Sequence, residues 1–262
     1  MKGHFREAGS GTAVVCLHCS ASSSGQWRPL MEALADRFRV IAPDLYGCGK
    51  SPAWPAERPM WIDDQIALLA PVFERAGERF HLVGHSYGGA VALKAALALQ
   101  PRLLSLVLYE PVLFSVLLND APGSPAAREI VSLRDDAIGR IDRGDPEGAA
   151  RSFIDYWMGE GAWASTPEAR RPALLAAMRA VKHEWHSAFN EPAPLAAFRS
   201  LDVPALLLTG IRSTAAAKGV AALLGAALPR VRLEQIEGAG HMAPVTHPQQ
   251  INALIERFLA TL

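Results

Sequence analysis

Ser86 lies in a sequence pattern that could make its hydroxyl a nucleophile. Residues 84–89 read Gly-His-Ser-Tyr-Gly-Gly, so a glycine stands two positions before and two positions after the serine. A short apolar run, residues 80–83, comes before the pattern, and a stretch rich in Ala and Leu, residues 90–99, follows it. A strand, a tight turn carrying G-x-S-x-G and a helix form a nucleophile elbow. The alternative is a chance match, because short patterns with three fixed positions are common.

The residues that flank Ser86 fit the geometry of such a turn. The turn forces the serine into a strained backbone conformation, and side chains at positions 84 and 88 would collide with the chain. The backbone N–H of Tyr87, at the start of the following helix, would point to the place where an oxyanion forms. We therefore expect Ser86 to act as the nucleophile and Tyr87 to provide one donor of an oxyanion hole.

A serine nucleophile needs a base beside it, and His241 is the candidate. Residues 238–244 read Gly-Ala-Gly-His-Met-Ala-Pro and follow the last expected strand. A loop at this place could bring the imidazole over Ser86. His247 lies directly before Pro248 and is expected to cap or border the last helix instead.

Composition and charge exclude several classes of partner. Half of the 262 residues are apolar, and 26 basic residues balance 26 acidic ones. Without a basic excess or a polybasic run, we expect no nucleic-acid partner. The longest apolar run, residues 103–118, contains Glu110 and Pro111 and is too short to cross a bilayer, so we expect no membrane insertion.

The cysteines and the amino-terminal segment indicate a cytoplasmic protein. Three cysteines, Cys16, Cys19 and Cys48, are too few and odd in number for a disulfide framework. Cys16 and Cys19 have redox spacing, but a redox pair normally opens a helix, so we interpret them as packing residues. Residues 1–9 are polar and mixed, without an apolar signal segment.

Strand and helix patterns alternate along most of the chain. Such alternation indicates an α/β fold with a mainly parallel, doubly wound sheet that helices cover on both faces. Strands are expected at residues 4–7, 12–17, 40–43, 80–83, 104–109, 205–209 and 231–236, and helices at residues 27–38, 60–76, 90–99, 215–228 and 248–262.

One region, residues 112–201, breaks the alternation. Its pattern is helical without a convincing strand, and Pro-Gly and Gly-Asp-Pro turns interrupt it. A helical insertion between two late strands of a parallel sheet most simply covers the strand ends. We therefore expect residues 1–111 and 202–262 to form the core and residues 112–201 to form a helical cap, or lid.

Taken in order, four motifs resemble the α/β-hydrolase fold over nearly the whole chain. They are the loop after Leu17-His18, the Pro43-Asp44 turn with the glycines that follow it, the elbow at Ser86, and residues 238–244. The resemblance implies a Ser, acid, His triad at the carboxyl ends of the strands, an oxyanion hole and no cofactor. Serine at the elbow argues against epoxide-hydrolase or dehalogenase chemistry, because relatives with those activities carry Asp there.

The resemblance places the second oxyanion donor in the first loop. In the family, the donor is the backbone N–H of the residue after a His-Gly pair. This chain has His18-Cys19, so Ser20 takes the donor position. We expect the Ser20 N–H to serve there and His18 to order the loop.

The acid is where this chain departs from the family. Family members usually carry it after the strand at residues 205–209, but residues 210–215 contain no carboxylate. Glu110 ends the strand next to the elbow strand, the position used in some haloalkane dehalogenases. Its apolar neighbours make an unpaired carboxylate costly, which favours His241 as a partner.

Alternatives to this assignment of the acid remain. Glu110 could pair with an arginine at the hinge of the cap. Asp44 is the second candidate, although the family residue usually braces its turn. Asp202 precedes its strand and so lies at the wrong end of the sheet.

The substrate pocket is expected between the first loop, the cap and the histidine loop. The aromatic residues of the cap could also simply pack on one another. His183 and His186 lack a set of ligands around them, so we expect no metal site. The pocket residues are expected to be His18, Trp27, Leu113, Phe114, Trp157, Trp185 and Met242.

These residues together indicate a serine hydrolase. Ser86 would attack an acyl carbonyl, His241 would carry the proton, and water would resolve the acyl-enzyme. A neutral protein with an aromatic cap favours a small to medium, uncharged, moderately apolar ester or lactone. Cofactor-free perhydrolysis of the haloperoxidase type, carbon–carbon bond hydrolysis and a non-catalytic ligand-binding role are the alternatives.

Overall fold

A seven-stranded sheet forms the centre of the protein. The computed structural model describes residues 3–262, so Met1 and Lys2, which begin the amino-terminal segment considered above, lie outside the described residues. The strand order is β1-β3-β2-β4-β5-β6-β7, and only the β1–β3 pair is antiparallel. The expected α/β fold with a mainly parallel sheet is therefore confirmed. The strands are β1 (Phe5–Ala8), β2 (Thr12–Leu17), β3 (Phe38–Pro43), β4 (Phe80–His85), β5 (Leu103–Tyr109), β6 (Ala205–Gly210) and β7 (Val231–Ile236).

Helices cover both faces of the sheet. Alternate residues of each strand point to opposite faces, so Val14 and Cys16 of β2 join one core cluster while Val15 and Leu17 join the other. The helices are α1 (Arg28–Leu34), α2 (Ile62–Ala76), α3 (Tyr87–Leu99), α4 (Phe114–Asp120), α5 (Pro125–Asp142), α6 (Pro146–Met158), α7 (Arg171–Asn190), α8 (Ala215–Ala227), α9 (Ala243–Thr246) and α10 (Pro248–Leu259).

The helix expected at residues 27–38 is shorter than its pattern. A 3₁₀ turn, Ser24–Trp27, comes first, and α1 ends at Leu34. Phe38 already belongs to β3 and pairs with Thr12 of β2. The turn and the next strand each contribute an apolar residue that happens to fall at helical spacing. Buried residues are apolar in helices, turns and strands alike, so the spacing overestimates the helix.

The 112–201 segment contains α4 to α7 and two short 3₁₀ helices, and no strand is assigned in it. Its interruptions fall at the Pro and Gly residues that break the sequence pattern. The segment leaves the sheet at the carboxyl end of β5 and returns before β6. α4 packs against α8, and α7 packs against α2 and α3. Between residues 3 and 262, no helix combines the length and the apolar character that a bilayer crossing requires.

Candidate active site

The turn between β4 and α3 holds Ser86 in a strained conformation. Its φ is 56° and its ψ is −119°, in a region that non-glycine residues seldom adopt. A Cβ atom at Gly84 would lie 2.6 Å from the carbonyl oxygen of Gly88, and one at Gly88 would overlap the carbonyl oxygens of Leu17 and His18. Gly84 therefore allows the turn to close on the first residues of α3, and Gly88 allows it to pack against the end of β2.

Ser86, His241 and Glu110 form one hydrogen-bonded chain. The Ser86 Oγ lies 2.9 Å from His241 Nε2, and His241 Nδ1 lies 2.6 Å from Glu110 Oε2. The three side chains are 4%, 2% and 0% exposed, respectively. A histidine whose one ring nitrogen faces the serine hydroxyl, and whose other ring nitrogen is hydrogen-bonded to a carboxylate, can take the proton from that hydroxyl.

Glu110 stands directly after β5 with a positive φ of 42°. Its other carboxylate oxygen, Oε1, accepts hydrogen bonds from Thr209 Oγ1 at 2.9 Å and from the Gly210 N–H at 2.7 Å. Burial alone would raise the pKa of Glu110, but the hydrogen bond and charge of His241 and the Gly210 N–H hold that pKa below its ordinary value. The side chain that pairs with Glu110 is His241, and no arginine of the described residues pairs with it.

The two alternative acids lie elsewhere. Asp44 accepts hydrogen bonds from the backbone N–H groups of Ser24 at 2.6 Å and Lys50 at 2.9 Å, and it contacts His4. These bonds brace the turn that follows β3. Asp202 is exposed, precedes β6, and lies 3.6 Å from Arg230.

The first loop follows β2 and contains His18 and Ser20, and the His18 carbonyl oxygen lies beside Gly88 of the elbow. His18 is fully buried; its Nδ1 lies 2.7 Å from the Cys19 carbonyl oxygen, and its Nε2 accepts from the Leu45 N–H at 3.0 Å. Both ring nitrogens thus hold backbone groups, so His18 orders the loop. Tyr87 begins α3, and its N–H is one of the free donors of a first helical turn.

A residue with positive φ occurs in each of three segments: the first loop, the elbow and the turn after β5. Among the described residues other than glycine, only Ala21, Ser86 and Glu110 have positive φ. Ala21 directly follows Ser20, so the loop, the elbow and the acid each contain one strained residue. Such strain persists where the surrounding structure enforces it, and it gathers at functional sites. The sequence signals the strain at Ser86 alone, through its flanking glycines.

Aromatic residues of the 112–201 segment reach the histidine. The Trp157 ring lies 4.0 Å from the His241 ring, centroid to centroid, at 31°. Phe114 stacks on Trp157 at 6.5 Å, and Trp185 contacts Phe153 at 5.7 Å. The segment's aromatic residues therefore pack on one another, as the alternative interpretation holds, and Trp157 also touches the site.

The other expected pocket residues divide into two groups. Leu113 is fully buried at the start of α4, and Met242 is half-buried beside His241. Trp27 does not belong to the pocket: its side chain packs in the core on the other face of the sheet, with Leu30 and Val83. This correction could not come from the sequence, because a loop-end aromatic can point to either face.

The sequence assigned no site role to Gln26, which is half-buried, or to the buried residues His85 and Glu184. Gln26 and His85 are hydrogen-bonded to each other. Glu184, on α7, is fully buried with Oε1 3.7 Å from Cys48 Sγ, and Oε2 finds no hydrogen-bond partner among the described residues. Burial raises the pKa of Glu184 to about 7. The position of His85 next to Ser86 was the only available signal.

The remaining histidines and the cysteines stand apart from the triad. His247 caps α10, while His186 packs on Trp61 and His183 borders a cavity of about 310 Å³ between α7 and the turn after β3. Within residues 3–262, no group of three His, Cys, Asp or Glu could hold a metal ion. The cysteines Cys16, Cys19 and Cys48 are buried and unpaired.

Comparisons with known proteins identify the family of the chain. A sequence model of the alpha/beta hydrolase family matches residues 14–254. The chain is 30% identical over 276 aligned positions to the pimeloyl-acyl-carrier-protein methyl ester esterase of Methylococcus capsulatus, an alignment that covers 97% of each protein. It is 39% identical over 93 residues to the soluble epoxide hydrolase of Corynebacterium sp. (strain C12), covering 34% of this chain and 31% of that protein.

Solved structures share the same fold. A thermophilic esterase from Thermogutta terrifontis, determined with malate bound, superposes with a TM-score of 0.74 at 26% identity. The superposition covers 99% of this chain and 93% of the esterase. The likeness thus extends beyond the sheet to nearly all elements.

Proposed function

The chain belongs to the alpha/beta hydrolase family, and we propose that it is a serine hydrolase that cleaves a carboxylic ester or lactone through an acyl-enzyme on Ser86. The observation that carries the proposal is the unbroken chain from Ser86 Oγ through His241 to Glu110, with contacts of 2.9 and 2.6 Å. A methyl ester esterase and a thermophilic esterase among the similar proteins support ester cleavage.

Each residue then has a distinct role. His241 Nε2 takes the proton from Ser86 as Oγ attacks the acyl carbonyl, and it returns that proton to the leaving group. Glu110 holds the Nδ1–H tautomer and stabilises the imidazolium that forms. The backbone N–H groups of Tyr87 and Ser20 stabilise the oxyanion. Water, with His241 as base, then hydrolyses the acyl-enzyme.

The surroundings of the triad support an uncharged, moderately apolar substrate of small to medium size. Within the 112–201 segment, Leu113, Phe114 and Trp157 are buried at or near the site. We propose that this segment acts as a cap, because Trp157 covers the ring of His241. The near-complete burial of Ser86 then requires the cap to move when substrate enters.

The first test is turnover of p-nitrophenyl butyrate by the wild type, Glu110→Gln and Ser86→Ala. We expect Ser86→Ala to be inactive and Glu110→Gln to lose on the order of 10⁴ in kcat, because an amide no longer fixes the tautomer or the charge of His241. Near-ultraviolet circular dichroism checks that both variants are folded.

Asp44→Asn is the comparison for Glu110→Gln, because it neutralises the other buried acid considered for the triad. Near-normal activity of folded Glu110→Gln, with loss in Asp44→Asn, would move the acid to Asp44. An inactive wild type whose Ser86 resists an organophosphonate would contradict the proposal and favour a ligand-binding protein. An inactive but labelled wild type would direct attention to peroxide or carbon–carbon substrates.

A further inference from the structure

The side chains of Gln26 and His85, which lie outside the triad, connect two loops. One loop contains Ser20, the expected oxyanion donor, and the other contains His241, the base. The Cys19 N–H donates to Gln26 Oε1 at 3.1 Å, and Gln26 Nε2 lies 3.0 Å from His85 Nδ1. His85 Nε2 lies 2.9 Å from the carbonyl oxygen of His241. Four residues thus form a continuous path from Cys19, next to Ser20, to the catalytic histidine itself.

The two backbone groups at the ends fix the direction of every hydrogen bond in this path. A backbone N–H can only donate, so Gln26 must present its oxygen to Cys19 and its NH₂ group to His85. His85 Nδ1 is therefore an acceptor, and the ring proton lies on Nε2. That proton is donated to the His241 carbonyl oxygen, which can only accept.

The path requires His85 to stay neutral. Burial and the neighbouring His241 ring, 5.2 Å away between centroids, hold the pKa of His85 well below its ordinary value. A second ring proton, on Nδ1, would also point at the NH₂ group of Gln26. Both groups would then be donors, and no hydrogen bond could form between them. His85 therefore remains an uncharged link even when its neighbour becomes an imidazolium during the reaction.

We propose that Gln26 and His85 are positioning residues that hold the Cys19–Ser20 backbone and the His241 backbone in register with Ser86. This inference rests on the proposed serine hydrolase function. Both ends of the path carry groups that act in the transition state, the second oxyanion donor and the base. A displacement of either by an ångström costs on the order of 10² in rate.

The kinetic test uses Gln26→Met, which keeps the length of the side chain and removes both hydrogen bonds, and His85→Gln, which can still donate to His241. We expect Gln26→Met to lower kcat for p-nitrophenyl butyrate by about 10- to 100-fold with little change in KM, because substrate binding does not use the path. His85→Gln should lose less than His85→Phe.

Tyr109→Phe is the matched control. The Tyr109 hydroxyl donates to the Gly240 carbonyl oxygen at 2.7 Å, so it holds the same histidine loop, and Tyr109→Phe keeps the ring that packs on His85 at 5.5 Å. The effects of Gln26→Met and His85→Phe on kcat should be strongly non-additive, whereas those of Gln26→Met and Tyr109→Phe should add. Additive effects for the first pair, or unchanged kcat with a lower melting temperature, would overturn the proposal.

A second measurement does not depend on activity. The ¹⁵N shifts of the wild-type imidazoles, assigned with His85→Gln, report which nitrogen carries the proton. We expect neutral His85 with Nε2–H from pH 5 to pH 8; an Nδ1–H tautomer or an imidazolium would overturn the path. If the wild type turned over no ester while showing this tautomer, the proposed function would fail and the hydrogen-bonded path would stand.

Discussion

Glu110 and Glu184 are two buried carboxyl groups that the protein treats in opposite ways. Glu110 receives a ring N–H, a hydroxyl and a backbone N–H, and these donors keep it ionised. Glu184 faces Cys19, Cys48 and the Tyr87 hydroxyl, with no cation among the groups that shift its pKa. Burial without a cation disfavours the charged form. Position in the structure, and not residue type, therefore decides which carboxyl group can stabilise an imidazolium.

Glu184→Gln should change how stability depends on pH. In the folded protein the pKa of Glu184 is about 7, whereas the ordinary pKa of a glutamate is 4.5. The folded protein therefore holds this proton up to about pH 7. Because the unfolded chain releases this proton first, the contribution of Glu184 to stability falls as pH rises from about 4.5 to 7 and stays low above that. Urea unfolding should show Glu184→Gln to be more stable than the wild type at pH 8 by a few kcal/mol, and much closer to it at pH 5. An equal difference at both pH values would contradict a raised pKa.

The elbow depends on close approach between two elements, α3 and the end of β2. The first turn of α3 packs so tightly on Leu17 and His18 that a methyl group at position 88 has no space. These contacts are backbone atoms of a central strand, which cannot move aside.

Gly88→Ala should therefore destabilise the protein by about 3 kcal/mol and abolish ester hydrolysis, because overpacking displaces the elbow from β2. Gly123→Ala is the matched control, since a Cβ atom there meets nothing within 4 Å. Its stability should stay within about 0.5 kcal/mol of the wild type. Thermal unfolding measures both, and equal melting temperatures for the two variants would contradict the tight contact.

At the scale of the whole molecule, the parallel sheet gathers the site at one edge. Ser86 follows β4, Glu110 follows β5, and His241 follows β7. Since the carboxyl ends of parallel strands meet at one edge, residues separated by 131 and 155 positions come within hydrogen-bond distance. The 112–201 segment leaves the sheet at this same edge, which places Trp157 over His241.

Trp157→Ala should make Ser86 more accessible to large reagents. Labelling by a bulky organophosphonate should accelerate several-fold relative to a small one, because the indole no longer covers the site. Trp163→Ala is the control, since Trp163 is also buried in the segment and packs against Arg171. An unchanged ratio of bulky to small labelling in Trp157→Ala would show that access does not pass Trp157.

The sequence by itself determined the order of the seven strands along the chain and of the main helices between them. Strands β2 and β7 and the start of α8 coincide with their patterns, because backbone preference and burial leave a local period in the sequence. The absence of a carboxylate at residues 210–215 likewise directed attention to Glu110. These are properties of short stretches, and they need no knowledge of what packs where.

Only the tertiary structure decided which side chains meet. It placed Trp27 in the core behind the sheet, Trp157 on His241, and Glu184 away from any cation. It also joined Gln26 to His85, 59 positions apart. Such pairs depend on the packing of distant elements and on the direction of single rotamers. A local pattern of polar and apolar residues carries no trace of either.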